Sequence, residues 1–227
     1  MIQLTPDECR VLGVLVEKAY TTPSQYPLTL NAVQSGSNQK SNRDPHVDFG
    51  EEQVYDALEG LRQKGLAREV MMSGSRVQKY RQTAKDALEI DTKGLVIIAE
   101  LLLRGPQTVG ELRGRASRMN RLDSIEVVQQ ALQLLMDRDE PLVRELRPVP
   151  GSRAPRFAQL LCPDLHPIEV RPASSAPAAA ASPASDGAMD HELRDRIAAL
   201  ESQVESLRSA VMRMAGEMGM DDLFNNG

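Results

Sequence analysis

Apolar positions near the start of the chain recur at helical spacing, and two short alternating segments follow them. The capping-box pattern Thr5-Pro6-Asp7-Glu8 places proline at the first helical position, directly before an apolar stripe that runs from 11 to 19. Further along, Ser73-Gly74-Ser75 separates two strand-like segments, as is typical of a hairpin. The pattern predicts, in order, a helix from Thr5, a short helix from Thr29, a helix over 51–64 ended by Gly65, and strands over 66–72 and 76–82.

The same pattern returns in the second half of the body. Three segments repeat in the same order, at offsets of 74, 76 and 77 residues. They are Val54-x-x-Ala57-Leu58-x-x-Leu61 with Val128-x-x-Ala131-Leu132-x-x-Leu135, Leu66-x-Arg68-Glu69 with Leu142-x-Arg144-Glu145, and Gly74-Ser75-Arg76 with Gly151-Ser152-Arg153. The sequence therefore predicts two similar tandem domains, over 1–84 and 90–165. The second would contain helices over 93–103, 109–116 and 124–138 and strands over 142–147 and 156–161.

Three helices followed by a β-hairpin is the order of elements in a winged helix-turn-helix domain. We therefore expect a fold that is mainly α with small β-hairpins (α+β). It would consist of two tandem winged helix-turn-helix domains and a C-terminal coiled-coil helix.

Four stretches of the body belong together as one pattern. They are Thr22-Pro23-Ser24-Gln25-Tyr26-Pro27-Leu28, Asn38-Gln39-Lys40-Ser41-Asn42-Arg43-Asp44-Pro45, Arg76-Val77-Gln78-Lys79-Tyr80, and the segment from Leu101 to Arg113. Together they resemble the YceH family of bacterial proteins of uncharacterised function. The resemblance implies tandem winged-helix domains, and it implies no activity, ligand or functional residue.

The C-terminal part of the chain has a different composition. Residues 171–188 are rich in proline, alanine and serine, which predicts a flexible linker. Beyond it, apolar residues alternate at spacings of four and three, which predicts a coiled-coil helix over 189–220 and a dimer through it. The alternative is that this helix folds back on the body. The seam consists of Leu193, Ile197, Leu200, Val204, Leu207, Val211, Met214 and Met218.

Composition argues against several classes of protein. The chain has 227 residues, a net charge of −5, 3% aromatic residues and no tryptophan, so a surface of stacking aromatics is not expected. Cys9 and Cys162 are too few for a disulfide framework or a zinc site of cysteines. There is no signal-peptide pattern and no apolar run of membrane-spanning length, so we expect a cytoplasmic protein without membrane contact.

No catalytic pattern emerges from the sequence. The glycine motifs that bind phosphate are absent, and His46 lies in a polar loop without the spacing of a metal site. We therefore expect a protein that is not an enzyme and that uses neither cofactor nor metal.

Basic residues give the most informative functional signal. Four arginines fall between 113 and 121 with no acidic residue among them, at the end of a predicted second helix that would lie beside DNA in a winged-helix domain. Others fall in the polar loop over 38–45 and in the two hairpins, which also contain Arg81 and Arg147. The candidate nucleic-acid contacts are Arg113, Arg115, Arg118, Arg121, Lys40, Arg43, Arg76, Lys79, Arg153 and Arg156.

Acidic residues at the start of the first repeat's third helix oppose a simple DNA-reading role. Glu51 and Glu52 would repel phosphates. The third helix of the second repeat offers Gln129, Gln130 and Gln133 but also Asp123 and Glu126, so neither helix is expected to be a strong base-reading surface. Two functions stay open. One is a regulator-like protein that contacts double-stranded DNA through basic loops and wings. The other is an adaptor whose winged-helix faces bind a partner protein. The loop over 38–45 is either a recognition loop or a turn held by its own Asn and Asp side chains.

Overall fold

The computed structural model describes residues 2–71, 77–148 and 154–166, and it gives both repeats the same order of elements. The first repeat contains α1 (Pro6–Thr21), β1 (Leu28–Thr29), α2 (Leu30–Ser37), α3 (Glu51–Gln63), β2 (Ala67–Met71) and β3 (Gln78–Gln82). A short helix, α4 (Ala84–Ala87), leads to the second repeat. That repeat contains α5 (Thr92–Arg104), β4 (Gln107–Thr108), α6 (Val109–Ala116), α7 (Ile125–Met136), β5 (Val143–Leu146) and β6 (Arg156–Gln159).

Side-chain caps fix where the helices begin. The Thr5 hydroxyl accepts from the Glu8 N–H, and the Glu8 carboxylate accepts from the Thr5 N–H at 2.7 Å, so the predicted capping box is present. Thr108 and Glu111 form the same box at the start of α6. The predicted helices are confirmed within a few residues. The third helix of the second repeat is shorter than expected, because Ser124 is its cap and it ends at Met136.

Each repeat closes with a three-stranded antiparallel sheet, in the orders β1-β3-β2 and β4-β6-β5. The third strand of each sheet, β1 or β4, is only two residues long and lies directly before the second helix. These strands were not predicted, because two residues are too few to show the alternation that identifies a strand. The fold is α+β with two small antiparallel sheets, and the expected hairpin in each repeat is confirmed.

The first helices of the two repeats pack against each other. Ten consecutive residues are buried in each, 8–17 in α1 and 94–103 in α5. A helix that packs on one side only buries a stripe, so burial around the whole circumference shows that both sides are covered. The described residues accordingly belong to one compact unit, within Met1–Val170.

A stripe of α1 with a spacing of four residues faces the second repeat. It consists of Cys9, Gly13 and Glu17, which contact Cys162, Leu103 and Arg118, respectively. A Cβ on Gly13 would lie 2.8 Å from the Leu103 side chain, so glycine is required here for α1 and α5 to approach this closely.

The expected linker over 171–188 and the expected coiled-coil helix over 189–220 lie outside the described residues. Among the residues that are described, none of the helices has the length and apolar character needed to cross a membrane.

Candidate nucleic-acid interface

Arg43, one of the expected phosphate contacts, is buried with 4% of its surface exposed. Its Nη2 lies 2.5 Å from Glu17 Oε2 and its Nη1 lies 3.2 Å from Glu17 Oε1, which is the bidentate pairing that suits a guanidinium and a carboxylate. Its Nε donates to the Gly36 carbonyl, and the remaining donors reach Asn42 and Gln39. Because all of its guanidinium nitrogens donate within the protein, Arg43 is not available to contact phosphate.

Arg118 belongs to the same ion network. Its Nη2 lies 2.6 Å from Glu17 and 3.2 Å from Glu100, so one guanidinium joins carboxylates of both repeats. Glu100 is completely buried in α5 and also forms an ion pair with Arg104 at 2.7 Å. Arg118 therefore joins the two repeats through ion pairs, while 32% of its side chain stays exposed.

The loop over 38–45 is held by its own side chains. The Asn38 amide donates to the Phe49 carbonyl and accepts from the Phe49 N–H, at 3.0 and 2.8 Å. Asn42 accepts from Arg104 of α5, and the Asp44 N–H donates to the Leu103 carbonyl at 2.8 Å. These contacts favour the turn over the recognition loop, and they also connect the first repeat to the second. Within this loop Lys40 is exposed.

The charge of Glu17 is stabilised in spite of its burial. Burial acts to raise the pKa of this carboxyl, but the hydrogen bonds and positive charge of Arg43, helped by Arg118, outweigh it and lower the pKa to about 2. Glu17 is therefore ionised throughout the neutral and mildly acidic range.

Acid is expected to weaken the fold through Glu17. Because the pKa is lower in the folded state than the ordinary glutamate value of about 4.3, the stabilisation is present above that value and is lost as the pH falls towards about 2. Between about pH 5 and 2, the free energy of unfolding of the native chain should fall by about 2–3 kcal/mol more than that of Glu17→Gln. Urea unfolding at a series of pH values measures both slopes, and parallel slopes would contradict this role of Glu17.

The other cations of the second repeat lie nearer to solvent. Arg115 reaches the Gln107 side chain at 2.8 Å and Glu111 at 3.3 Å, and Arg156 donates to the Pro106 carbonyl. Arg113 is exposed and donates to the Asp123 carbonyl. The Arg121 side chain is 90% exposed and pairs with the Asp123 carboxylate at 2.5 Å. Arg113 and Arg121 thus remain available near the start of α7.

The outward face of the first sheet carries three cations. Arg68 lies directly opposite Arg81 in the β2–β3 register, and Lys79 follows on the same face of β3. No described carboxylate lies within ion-pair distance of Arg68, Lys79 or Arg81. In the second sheet the equivalent arginine, Arg144, lies opposite Ala158. Arg68 was not among the expected contacts, because only the strand register places it beside Arg81.

The third helices present different outward faces. On α3 the side chains away from the core include Glu52, Asp56 and Glu59. On α7 the corresponding side includes Gln129, Gln130 and Gln133, all exposed. Both helices carry an exposed carboxylate in the first turn, because Glu126 lies at the start of α7, and the two outward faces differ beyond that turn. The expected contacts Arg76 and Arg153, and the seam residues Leu193, Ile197, Leu200, Val204, Leu207, Val211, Met214 and Met218, lie outside the described residues.

Cys9 and Cys162 are buried, free of disulfides and in contact across the two repeats. The hydrogen bond with Cys162, together with burial, raises the pKa of the Cys9 thiol well above its ordinary value. The thiol is therefore protonated at neutral pH. In the described part of the chain, no three His, Cys, Asp or Glu side chains are grouped as a metal site would require.

Comparison with known proteins gives a consistent set of relatives. A family model described as "Protein of unknown function, DUF480" matches residues 4–152. A UPF0502 protein of Koribacter versatilis is 45% identical over 204 residues, which cover 90% of each chain. A UPF0502 protein of an Acidovorax species is 41% identical over 221 residues, covering 96% of this chain and 95% of the relative. One from Geobacter metallireducens is 48% identical over 154 residues, covering 68% of this chain and 70% of that protein.

Proposed function

This chain belongs to the DUF480 family of UPF0502 proteins, whose names assign no activity, and from its folded geometry we propose a function as a DNA-binding protein. In this proposal it is a non-enzymatic, regulator-like cytoplasmic protein with two tandem winged-helix domains. It contacts the phosphates of double-stranded DNA mainly through the outward face of the first sheet and the cations beside α7.

The order of elements supports the winged-helix assignment. Each repeat runs helix, short strand, helix, helix, strand, strand, and the last strand lies in the middle of its sheet. In a winged helix the third helix and the hairpin approach the nucleic acid. By this assignment α3 and α7 are the third helices, and the β2–β3 and β5–β6 hairpins are the wings.

The observation that carries the proposal is the pair Arg68 and Arg81. Like charges directly opposite each other in an antiparallel sheet destabilise it, and no described carboxylate offsets these two. Phosphate oxygens would neutralise both guanidinium groups and the neighbouring Lys79, and arginine suits phosphate because it donates two parallel hydrogen bonds. The face therefore fits the backbone of a nucleic acid.

The second repeat supplies the side chains suited to bases. Glutamine is able to form two hydrogen bonds with an adenine edge in the major groove, and α7 exposes Gln129, Gln130 and Gln133. Arg113 and Arg121, near the start of α7, would position this helix on the backbone. The acidic face of α3 does not fit phosphates, so the first repeat would bind through its sheet. Self-association through the segment over 189–220 is part of the proposal, because two copies on one duplex would bind more tightly than one.

Removing the opposed arginines is expected to weaken duplex binding. Arg68→Ser with Arg81→Ser should lower the affinity for random double-stranded DNA by about tenfold or more, and should reduce the slope of log K against log salt by about two. Fluorescence anisotropy with a labelled duplex at about 50 and 200 mM salt measures both quantities. The native chain should lose about a hundredfold in affinity over that range if it makes about four phosphate contacts.

The matched control removes the same charge elsewhere. Lys85→Ser with Lys93→Ser takes two exposed cations from α4 and α5, so the net charge falls equally while the sheet is unchanged. This control should retain most of the affinity. If the native chain shows no salt-dependent duplex binding, the adaptor hypothesis replaces the DNA-binding one. If the two double variants bind equally, the sheet is not the contact surface.

A further inference from the structure

The first repeat contains an open groove on the side of its sheet opposite to the three cations. Its cavity volume is about 670 Å³. It lies between the start of α2, the N-terminal half of α3 and the ends of β2 and β3 nearest the hairpin turn. Side chains alternate along a strand, so Gln78 and Tyr80 line the groove while Lys79 and Arg81 face the other way.

Most of the large apolar side chains that are exposed in the described residues line this groove. Four large apolar side chains are well exposed in the described residues, and three of them line this groove: Tyr55 at 44%, Met71 at 69% and Val77 at 54%. Leu30 and Tyr80 add apolar surface at its base. A cluster of exposed apolar side chains of this kind marks an interaction site, whereas single ones are ordinary.

Two of the exposed apolar positions of this groove are polar in the second repeat. At the repeat offsets, the position of Tyr55 is taken by Gln129 and that of Met71 by Arg147. The two repeats share their order of elements, so apolar side chains at these two positions are not a requirement of the fold.

The charged side chains at the groove indicate which charge its ligand should carry. Glu51 is the charged side chain among the described residues that line it, and Asp48 and Glu52 are exposed close by in the chain. This excess of carboxylates repels phosphates. A net-acidic segment is an equally poor match by charge, and residues 189–227 contain four arginines but eight Asp or Glu. A ligand with apolar side chains beside Lys or Arg matches both the surface and its charge.

We propose that this groove binds an amphipathic segment of another protein, one that presents apolar side chains flanked by lysine or arginine. Binding of a short amphipathic segment in an apolar groove is a common mode of peptide recognition, and acidic residues at the edge select a basic partner. The site does not depend on DNA binding, because it lies on the opposite face of the sheet from Arg68 and Arg81.

A designed pair of peptides tests the proposal on the full-length protein. One labelled amphipathic helix of about 18 residues contains only leucine and lysine, and its partner contains leucine and glutamate in the same pattern. By fluorescence anisotropy the lysine peptide should bind at least about tenfold more tightly than the glutamate peptide. Tyr55→Ser with Met71→Ser should weaken binding of the lysine peptide by about tenfold or more, while the control Leu134→Ser, which alters the exposed apolar side chain outside the groove, should leave it unchanged.

Charge reversal provides an independent measurement. Glu51→Lys with Glu52→Lys should shift the preference towards the glutamate peptide, and thermal unfolding should show that each variant is folded. Equal binding of the lysine peptide by the native chain and Tyr55→Ser/Met71→Ser would overturn the proposal. Tighter binding of a peptide of residues 189–220 than of the lysine peptide would also overturn it, because the chain's own tail would then be the ligand of the groove. A change of oligomeric state in Tyr55→Ser/Met71→Ser would overturn it as well, because the groove would then be covered by a second copy.

Discussion

Replacing Arg43 by alanine is expected to lower the free energy of unfolding by about 3–5 kcal/mol. The substitution leaves Glu17, which is almost fully buried, with only Arg118 and the more distant Lys18 as cationic partners. It also removes the donors to the Gly36 carbonyl and the Gln39 side chain. A buried polar group that loses its partner costs about 1–3 kcal/mol, so several such losses together account for the size of the effect.

Two further variants test whether the loss of stability is specific to the buried guanidinium of Arg43. Lys40→Ala changes an exposed cation in the same loop and should alter stability by no more than about 0.5 kcal/mol. Arg43→Lys keeps the charge but loses the planar guanidinium group. Its free energy of unfolding should lie between those of the native chain and Arg43→Ala. Urea unfolding followed by circular dichroism measures all three. A loss below about 1 kcal/mol in Arg43→Ala would show that the ion network does not stabilise the fold.

Local chemistry explains why much of the fold could be predicted from the sequence. Capping boxes, apolar stripes and the Ser73-Gly74-Ser75 turn act over a few residues, and they place the helices and the two long strands of each sheet close to where they lie. The internal repeat then predicts that both halves share one order of elements. The short strands β1 and β4 could not be predicted from local patterns, because they are defined only by pairing with the distant strands β3 and β6.

The roles of the arginines could not be predicted in the same way. Arg43 and Glu17 are 26 residues apart, and Arg118 is about a hundred residues from Glu17, so only the tertiary fold brings them together. Two signals were nevertheless present. Glu100 is a single carboxylate within the apolar run over 95–103, and Gly13 weakens a helix interior by about 1 kcal/mol relative to alanine. Both point to a second packed surface on the first helices.

The two faces of the first sheet show how one small domain would serve the two proposed ligands. Alternation along β3 places Lys79 and Arg81 on one side and Gln78 and Tyr80 on the other. The cationic side matches phosphates, and the apolar, acidic side matches a basic protein segment. If both proposals hold, the protein would connect a DNA-bound state with the recruitment of a partner, without the two ligands competing for one surface.

The contact between α1 and α5 implies that neither repeat is stable alone. Each helix is buried around its whole circumference, and separation of the repeats would expose one side of both. Exposing a Leu, Ile or Val side chain costs about 1.5–3 kcal/mol, and α5 contains seven of them between Leu95 and Leu103. Exposing three would cost about 5–9 kcal/mol, which is comparable to the total stability of a typical domain, about 5–15 kcal/mol.

Expressed separately, residues 1–89 and 90–170 are therefore each expected to lack cooperative thermal unfolding and to bind a hydrophobic dye. Mixed in equal amounts, they should regain the circular dichroism and the single transition of the whole chain, because the contacts of α1 with α5 do not require the peptide bond after Glu89. The control is the full chain with a protease site at this exposed position, cut after folding, which should stay folded. Cooperative unfolding of residues 1–89 alone, with the stability of the full chain, would show that the contact between the repeats contributes little to folding.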